Sequence, residues 1–346
     1  MTDPSAESVA SARGASARLV RRQTIGITIT VLLVLVGIAV SLPVGAVETP
    51  LRAVLDTFTG GGDEMTRLIV FEARLPRALC AAIAGCNLAI AGVLLQSVTR
   101  NPLADPGIIG VTAGAGVAAT VVLAAFPGAA QSLPAAAFVG AMVSAVFVYA
   151  VSWRPGGGVS PVRMILAGVA VNAILGAVIG LLITAFADRI PAVMFWTTGS
   201  FNGRNTDHLW LLLPYTAAGL AIAFTIRRPM RVLELGDDAA ATMGVRVELT
   251  RLLAFAAAAL LAGSAASVAG LIGFVGLVIP HLVRLLLGSN RLVIPVAAAA
   301  GAAMLVWSDL LARTVLGGSE LPVGVVTGIV GGPYFIFLLY RSGWLR

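Results

Sequence analysis

Residues 74–106 read RLPRALCAAIAGCNLAIAGVLLQSVTRNPLADP. Two arginines open the stretch, an apolar run rich in Gly and Ala follows, and it stops on the polar, proline-flanked turn Asn101-Pro102-Leu103-Ala104. An apolar run of about 20 residues crosses a hydrocarbon core of roughly 30 Å as a helix. Small residues at regular spacing let such a helix lie close against a neighbour inside a membrane.

The rest of the chain agrees with this reading. Its 346 residues are 58% hydrophobic and only 11% charged, where an ordinary soluble domain carries charge near a quarter. The chain is a polytopic α-helical membrane protein; a transmembrane barrel would show short alternating segments instead. Apolar runs place ten candidate spans near 24–43, 77–98, 107–126, 133–153, 162–186, 208–226, 252–271, 272–288, 292–312 and 322–340. Residues 252–288 would measure roughly 55 Å as one helix, too long for one span and tight for two, and Pro280 is expected to break it near one surface. Residues 1–23 are Ser/Ala/Arg-rich and expected to be a disordered cytoplasmic tail, with the membrane domain at 24–346. A cleaved signal is the competing reading, since VGA at 44–46 faintly resembles a cleavage site; the run before it has the length of a first span.

All 23 basic residues are arginine. Without lysine there is no GxxxxGK[ST] phosphate loop, so if ATP drives transport, another chain binds it. Cys80 and Cys86 lie six apart, about 9 Å along one helix and on different faces, and read as packing residues. His208 and His281 have no second ligand at metal spacing. The net charge of +7 resides at span ends, as membrane orientation requires, rather than in a nucleic-acid patch. With the N-terminus inside, fifteen arginines lie inside and seven outside (Arg52, Arg67, Arg74, Arg77, Arg189, Arg204, Arg313), with Arg284 unassigned. This bias places both termini in the cytoplasm.

The opening motif recurs 178 residues later. Ala84-Gly85 matches Ala262-Gly263, Ala91-Gly92 matches Ala269-Gly270, Pro102 matches Pro280 and Gly110 matches Gly288. Five span steps separate the copies, so the second enters from the opposite side, giving an inverted repeat with halves at about 74–205 and 250–346. Proteins that alternate access across a membrane are built this way.

Five stretches carry a resemblance: RLPR at 74–77, GVLLQSVTRNPLADPGIIGVTAGAG at 92–116, LGDDAAATMGV at 235–245, GFVGLVIPHLVR at 273–284 and ELPVGVVTGIVGGPYF at 320–335. From residue 24 to the end the chain resembles the FecCD-type permease subunit of type II ABC importers, which carry ferric siderophores, haem and cobalamin. The resemblance implies ten transmembrane helices per permease, a dimer of identical or paralogous permeases around the pathway, cytoplasmic ATP-binding subunits and an extracytoplasmic substrate-binding protein. No cofactor is expected on this chain; ATP and Mg belong to the partner ATPase.

The resemblance also implies roles for individual residues. Asn101, Pro102 and Leu103 form one inner-gate element and Pro161 with Val162 the other; the plain alternative is a turn that only reverses the chain. In the segment 233–251, Leu235, Gly236, Asp237, Asp238, Ala239, Met243 and Gly244 belong to the helix that couples to the ATPase. Independently, two aspartates suit that helix's start and Gly244 its stop. A passive interfacial helix is the alternative. Arg74, Arg77 and Arg313 would dock carboxylates of the binding protein, whereas local pairing of Arg74 with Glu72 and of Arg313 with Asp309 competes with that role. Gln96, Asn87 and Asn172 either line a pathway or bond between helices.

Function is thus expected to be a non-enzymatic inner-membrane permease for a chelated-iron compound, ferric siderophore first. The rival is an ion-coupled secondary carrier, which usually shows more intramembrane ionisable groups than Asp309. An intramembrane enzyme lacks any catalytic constellation here.

Overall fold

The computed structural model describes residues 4–45, 47, 49–155, 158–288, 292–316 and 319–341, with side chains from residue 23 onward apart from 338, 339 and 341. Of the arginines in the charge count, Arg291 and Arg346 lie outside the described residues. The first helix, α1, runs Pro4–Ser41. Its backbone therefore takes in residues expected to be a tail, and alanines at 6, 10, 12, 15 and 17 favour helix there.

Two short helices, α2 (Leu51–Phe58) and α3 (Glu64–Leu68), precede α4 (Leu75–Thr99). A π-helical turn over Ile69–Arg74 joins α3 to α4, making one apolar rod Glu64–Thr99. A 3₁₀ turn Pro106–Ile109 leads into α5 (Val111–Ala125), then α6 (Leu133–Ser152). A two-rung hairpin pairs Trp153 with Val159 and Arg154 with Gly158. There follow α7 (Pro161–Ala185), short α8 (Ile190–Thr197), α9 (Thr206–Leu233), α10 (Asp237–Thr242), α11 (Val247–Ala269), α12 (Val275–Leu287), α13 (Val293–Thr314) and α14 (Val323–Arg341). Among the described residues, seven helices are long and apolar enough to cross a membrane. Three shorter apolar helices, α5, α12 and α14, fill the remaining three of the ten expected places.

At the centre lie α4 and α11, whose most apolar windows are 78% buried, against 11% for α1 and α7. Composition explains this: Gly and Ala let backbones meet. A Cβ on Gly85 would overlap the Gly301 carbonyl of α13, and one on Gly92 the Gly276 carbonyl of α12. The repeat is visible in the packing. Helix α4, the second span, packs on α13, the ninth, as α11, the seventh, packs on α6, the fourth. Asn87 Nδ2 donates to Ser264 Oγ at 3.1 Å, so the two copies cross at corresponding points. The matched Gly110 and Gly288 both take positive φ, +81° and +70°.

One expectation is corrected. The long apolar run 252–288 is broken at Gly270, not at Pro280. Gly270 adopts φ +74°, and a Cβ there would overlap the Trp196 carbonyl, so only glycine fits the close approach of α8. Pro280 sits inside α12. It cannot donate to the Gly276 carbonyl four residues back, and that oxygen instead accepts from Gln96 Nε2 at 3.2 Å.

Candidate functional site

At the end of α4, Arg100 takes the left-handed conformation, φ +50°, and turns the chain into residues 101–106. Asn101 Oδ1 accepts the Leu103 N–H at 2.9 Å and its carbonyl accepts Ala104 N–H at 3.1 Å, a side-chain-closed turn that holds Pro102 and Leu103 half-buried. Asp105 Oδ1 accepts from Gly107 N–H at 2.8 Å and starts the 3₁₀ turn. Across that turn, Asn172 of α7 donates to the Gly107 carbonyl at 2.8 Å. Of the three polar interior residues, Asn172 therefore ties the 3₁₀ turn that follows Asn101–Leu103 to the helix that begins at Pro161. At the start of α7, Pro161 is half-buried and Val162 is 65% exposed.

Helix α10 stands at the same end. Its carboxylate at Asp237 accepts from Arg251 Nη2 at 2.7 Å and lies 3.4 Å from Arg100 Nη2. Ala240 is fully buried and anchors α10 to the bundle, while Leu235 and Met243 are 67% and 64% exposed on either side of it. Asp238 and Gly244 are exposed, and Ala239 is half-buried. Gly236 and Gly244 bracket the helix at φ +118° and +79°. A second polar chain runs beside it: Ser97 donates to Glu234 at 2.8 Å, Arg284 Nη2 donates to Ser97 Oγ at 3.0 Å, and Arg284 Nη1 donates to Gln96 Oε1. Gln96 thus bonds between helices, and Arg284, unassigned from charge counting, turns inward to satisfy it.

The opposite end holds the arginines expected to dock a partner, and here the structure pairs them within the chain. Arg77 is buried and donates to Asp309 of α13 at 2.8 and 3.1 Å and to Glu320 at 3.0 Å. Arg313 lies 3.3 Å from the same Asp309 and donates to the Val44 carbonyl at 3.3 Å. Arg74 is buried and donates to the carbonyls of Leu42 and Val47 rather than to Glu72. In this arrangement none of the three guanidiniums stands free for a partner. Sequence spacing exposed the Asp309–Arg313 pair, four residues apart, but Arg77 and Asp309 are 232 residues apart and nothing in the sequence links them. Beside them, Arg204 bonds His208 at 3.2 Å, and burial lowers its pKa from the usual value.

Sequence reasoning missed Arg100, Glu248 and Arg251 as site residues. Arg251 was counted only as an inside charge, although its place one turn into α11, after the two-aspartate segment, was the available signal. Cys80 is fully buried and Cys86 half-buried, both against the helical core.

The chain resembles known proteins along nearly its whole length. The chain is 40% identical over 314 residues to the ferric enterobactin transport system permease protein FepD of Escherichia coli, covering 90% of this chain and 93% of that one. It is 37% identical over 327 residues to the iron(3+)-hydroxamate import system permease protein FhuG of Bacillus subtilis, covering 91% and 96%. The hemin transport system permease protein HmuU of Yersinia pestis is 36% identical over 324 residues, covering 90% and 94%. A solved inward-facing structure described as a metal-chelate type ABC transporter superposes with a TM-score of 0.79 at 28% identity, covering 91% of this chain and 98% of that one. The family model of the FecCD transport family matches residues 32–341, which takes in every element from the body of α1 to α14, and the chain belongs to that family.

Proposed function

We propose that this chain is the pathway-forming subunit of an ATP-driven importer that brings a chelated-iron compound across the cytoplasmic membrane. The observation that carries this is α10, a short helix anchored by Ala240, flanked by exposed Leu235 and Met243, and tied through Asp237 to the ends of α4 and α11. A docked partner moving such a helix moves the gate with it. The α10 end is cytoplasmic in this reading, both termini lie on that side, and ATP with Mg is bound by a separate ATPase chain. The inner gate comprises Asn101, Pro102, Leu103, Pro161 and Val162.

A second permease chain completes the pathway. Helices α7 and α14 expose apolar faces, and Gly176/Gly180 on α7 and Gly328/Gly332 on α14, each pair four residues apart, have open space where a Cβ would stand. Paired small residues at that spacing suit close helix contacts in a membrane. An extracytoplasmic binding protein rests on the opposite end. There Arg74, Arg77 and Arg313 hold the docking face in shape, and Glu320, the least buried member of the cluster, is where an incoming carboxylate competes for Arg77. Ferric siderophore is the first substrate assignment, since relatives are named for enterobactin and hydroxamate transport; one is named for hemin and another for cobalamin.

The test is purification of the tagged chain with its neighbours from the membrane, followed by uptake of a radiolabelled ferric hydroxamate into proteoliposomes. Copurification of an ATP-binding subunit with uptake that needs ATP supports the proposal. Uptake by the chain alone, driven by an ion gradient, contradicts it.

A further inference from the structure

Asp237 opens α10, and its carboxylate is held from two directions. One is Arg100, the residue before the Asn101 turn, at 3.4 Å. The other is Arg251, whose Nη2 donates to both carboxylate oxygens at 2.7 Å. The same guanidinium reaches further: Nη1 donates to the Val159 carbonyl at 3.2 Å. Glu248, one turn earlier on α11 and 3.3 Å from Arg251, accepts the Val159 N–H at 3.0 Å. Both backbone groups of the residue two before Pro161 are therefore gripped by α11 side chains. One carboxylate on α10 is thus two bonded steps or fewer from Arg100 and Val159, which lie one and two residues before the two gate elements.

The backbone alone does not make this connection stiff. Gly236 and Gly244 flank α10 in conformations that favour glycine, and residues of that kind swing at little cost. Without side-chain ties, α10 would move while its neighbours stayed. The Arg251 side chain is 5% exposed, against 40% for Arg100, so its pairing is the less screened by water and salt. A planar fork with five donors is the side chain able to hold a carboxylate on one edge and a carbonyl on the other.

We infer that Arg251 is a positioning residue of the transport cycle: seated between Asp237 and Val159, it makes the start of α10 and the hairpin before Pro161 move as one body. Arg100 extends the same body to the Asn101 turn. This rests on the reading of α10 as the helix that docks on an ATPase.

The test uses the whole importer in lipid nanodiscs, with Cys80 and Cys86 replaced by alanine and Val162→Cys as reporter. Labelling by a water-soluble maleimide is timed without nucleotide and after trapping with ATP and vanadate. The parent should show a rate difference of about fivefold or more between the two states, the lower end of ordinary coupling between sites. Arg251→Gln should lose that difference while ATPase copurification stays unchanged, Arg251→Lys should regain part of it, and Arg246→Gln, an exposed neighbour, should keep it. A full difference in Arg251→Gln, or an equal loss in Arg246→Gln, overturns the inference. If Arg251→Gln does not fold, Glu248→Ala, at a half-exposed side chain, is judged by the same criterion. A parent whose labelling ignores nucleotide sinks the underlying reading of a driven gate, an outcome distinct from a responsive parent with a responsive variant.

Discussion

Replacing Arg77 by methionine should destabilise the fold before it affects any partner. Arg77 makes three contacts of 2.8–3.1 Å to Asp309 and two of 3.0 Å to Glu320. Asp309 is 1% exposed, so its charge cannot turn to water when Arg77 leaves. Removing one partner of a buried pair typically costs about 3–5 kcal/mol. Asp309 keeps Arg313 at 3.3 Å, which sets the expected loss near the bottom of that range, ~3 kcal/mol. Glu320, with a side chain 27% exposed, rehydrates and adds less than about 1 kcal/mol. The assay is a double-mutant cycle in detergent, with denaturant unfolding of the parent, Arg77→Met, Asp309→Asn and the double variant. Removing both charges should recover part of the single variant's loss: the cluster is neutral again, but Arg313, with a side chain 3% exposed, loses Asp309 and has only the more distant Glu320 to balance it. A single variant within about 1 kcal/mol of the parent, or a double variant no more stable than Arg77→Met, would falsify the assignment of Arg77 to the interior.

Three further outcomes are expected. Gly92→Leu should force α4 and α12 apart at the Gly276 carbonyl and destabilise the protein by ~3 kcal/mol, the upper end of the usual overpacking range, measured by the same unfolding assay. Gly176→Leu should leave monomer stability within about 0.5 kcal/mol, since the added side chain meets open space, yet shift the particle mass from dimer toward monomer in light scattering. Ala240→Pro should break the Ala240 N–H bond to Gly236 and the start of α10; ATP hydrolysis then continues while chelate uptake per ATP falls, and normal stoichiometry would assign the docking contact elsewhere.

The helices were legible because lipid imposes a simple code: long apolar runs between arginines leave few other structures. The repeat was legible for a related reason, since Gly85, Gly92 and Gly270 mark where backbones touch and Gly263 where Met142 and Ala141 pack close, and small residues are hard to replace at such points. Pro280 misled because sequence shows the proline but not Gln96, 184 positions away, waiting to bond the carbonyl it frees. The ion cluster was hidden for the same reason: Arg77 and Asp309, 232 positions apart, meet only when α4 and α13 are brought together. Local signals did define α10, with its paired aspartates and bracketing glycines. What they could not reveal was that Asp237 faces inward to Arg251 while Asp238 stays exposed.

The most direct test of the account is site-specific cross-linking at Met243→Cys in whole cells, with mass spectrometry to identify what is captured. The account predicts an ATP-binding subunit cross-linked from the cytoplasm, in a complex whose chelate uptake stops when that subunit's ATPase is inactivated. Labelling of the same cysteine by an impermeant reagent added outside the cytoplasmic membrane would contradict it, since no cytoplasmic ATPase could then reach α10.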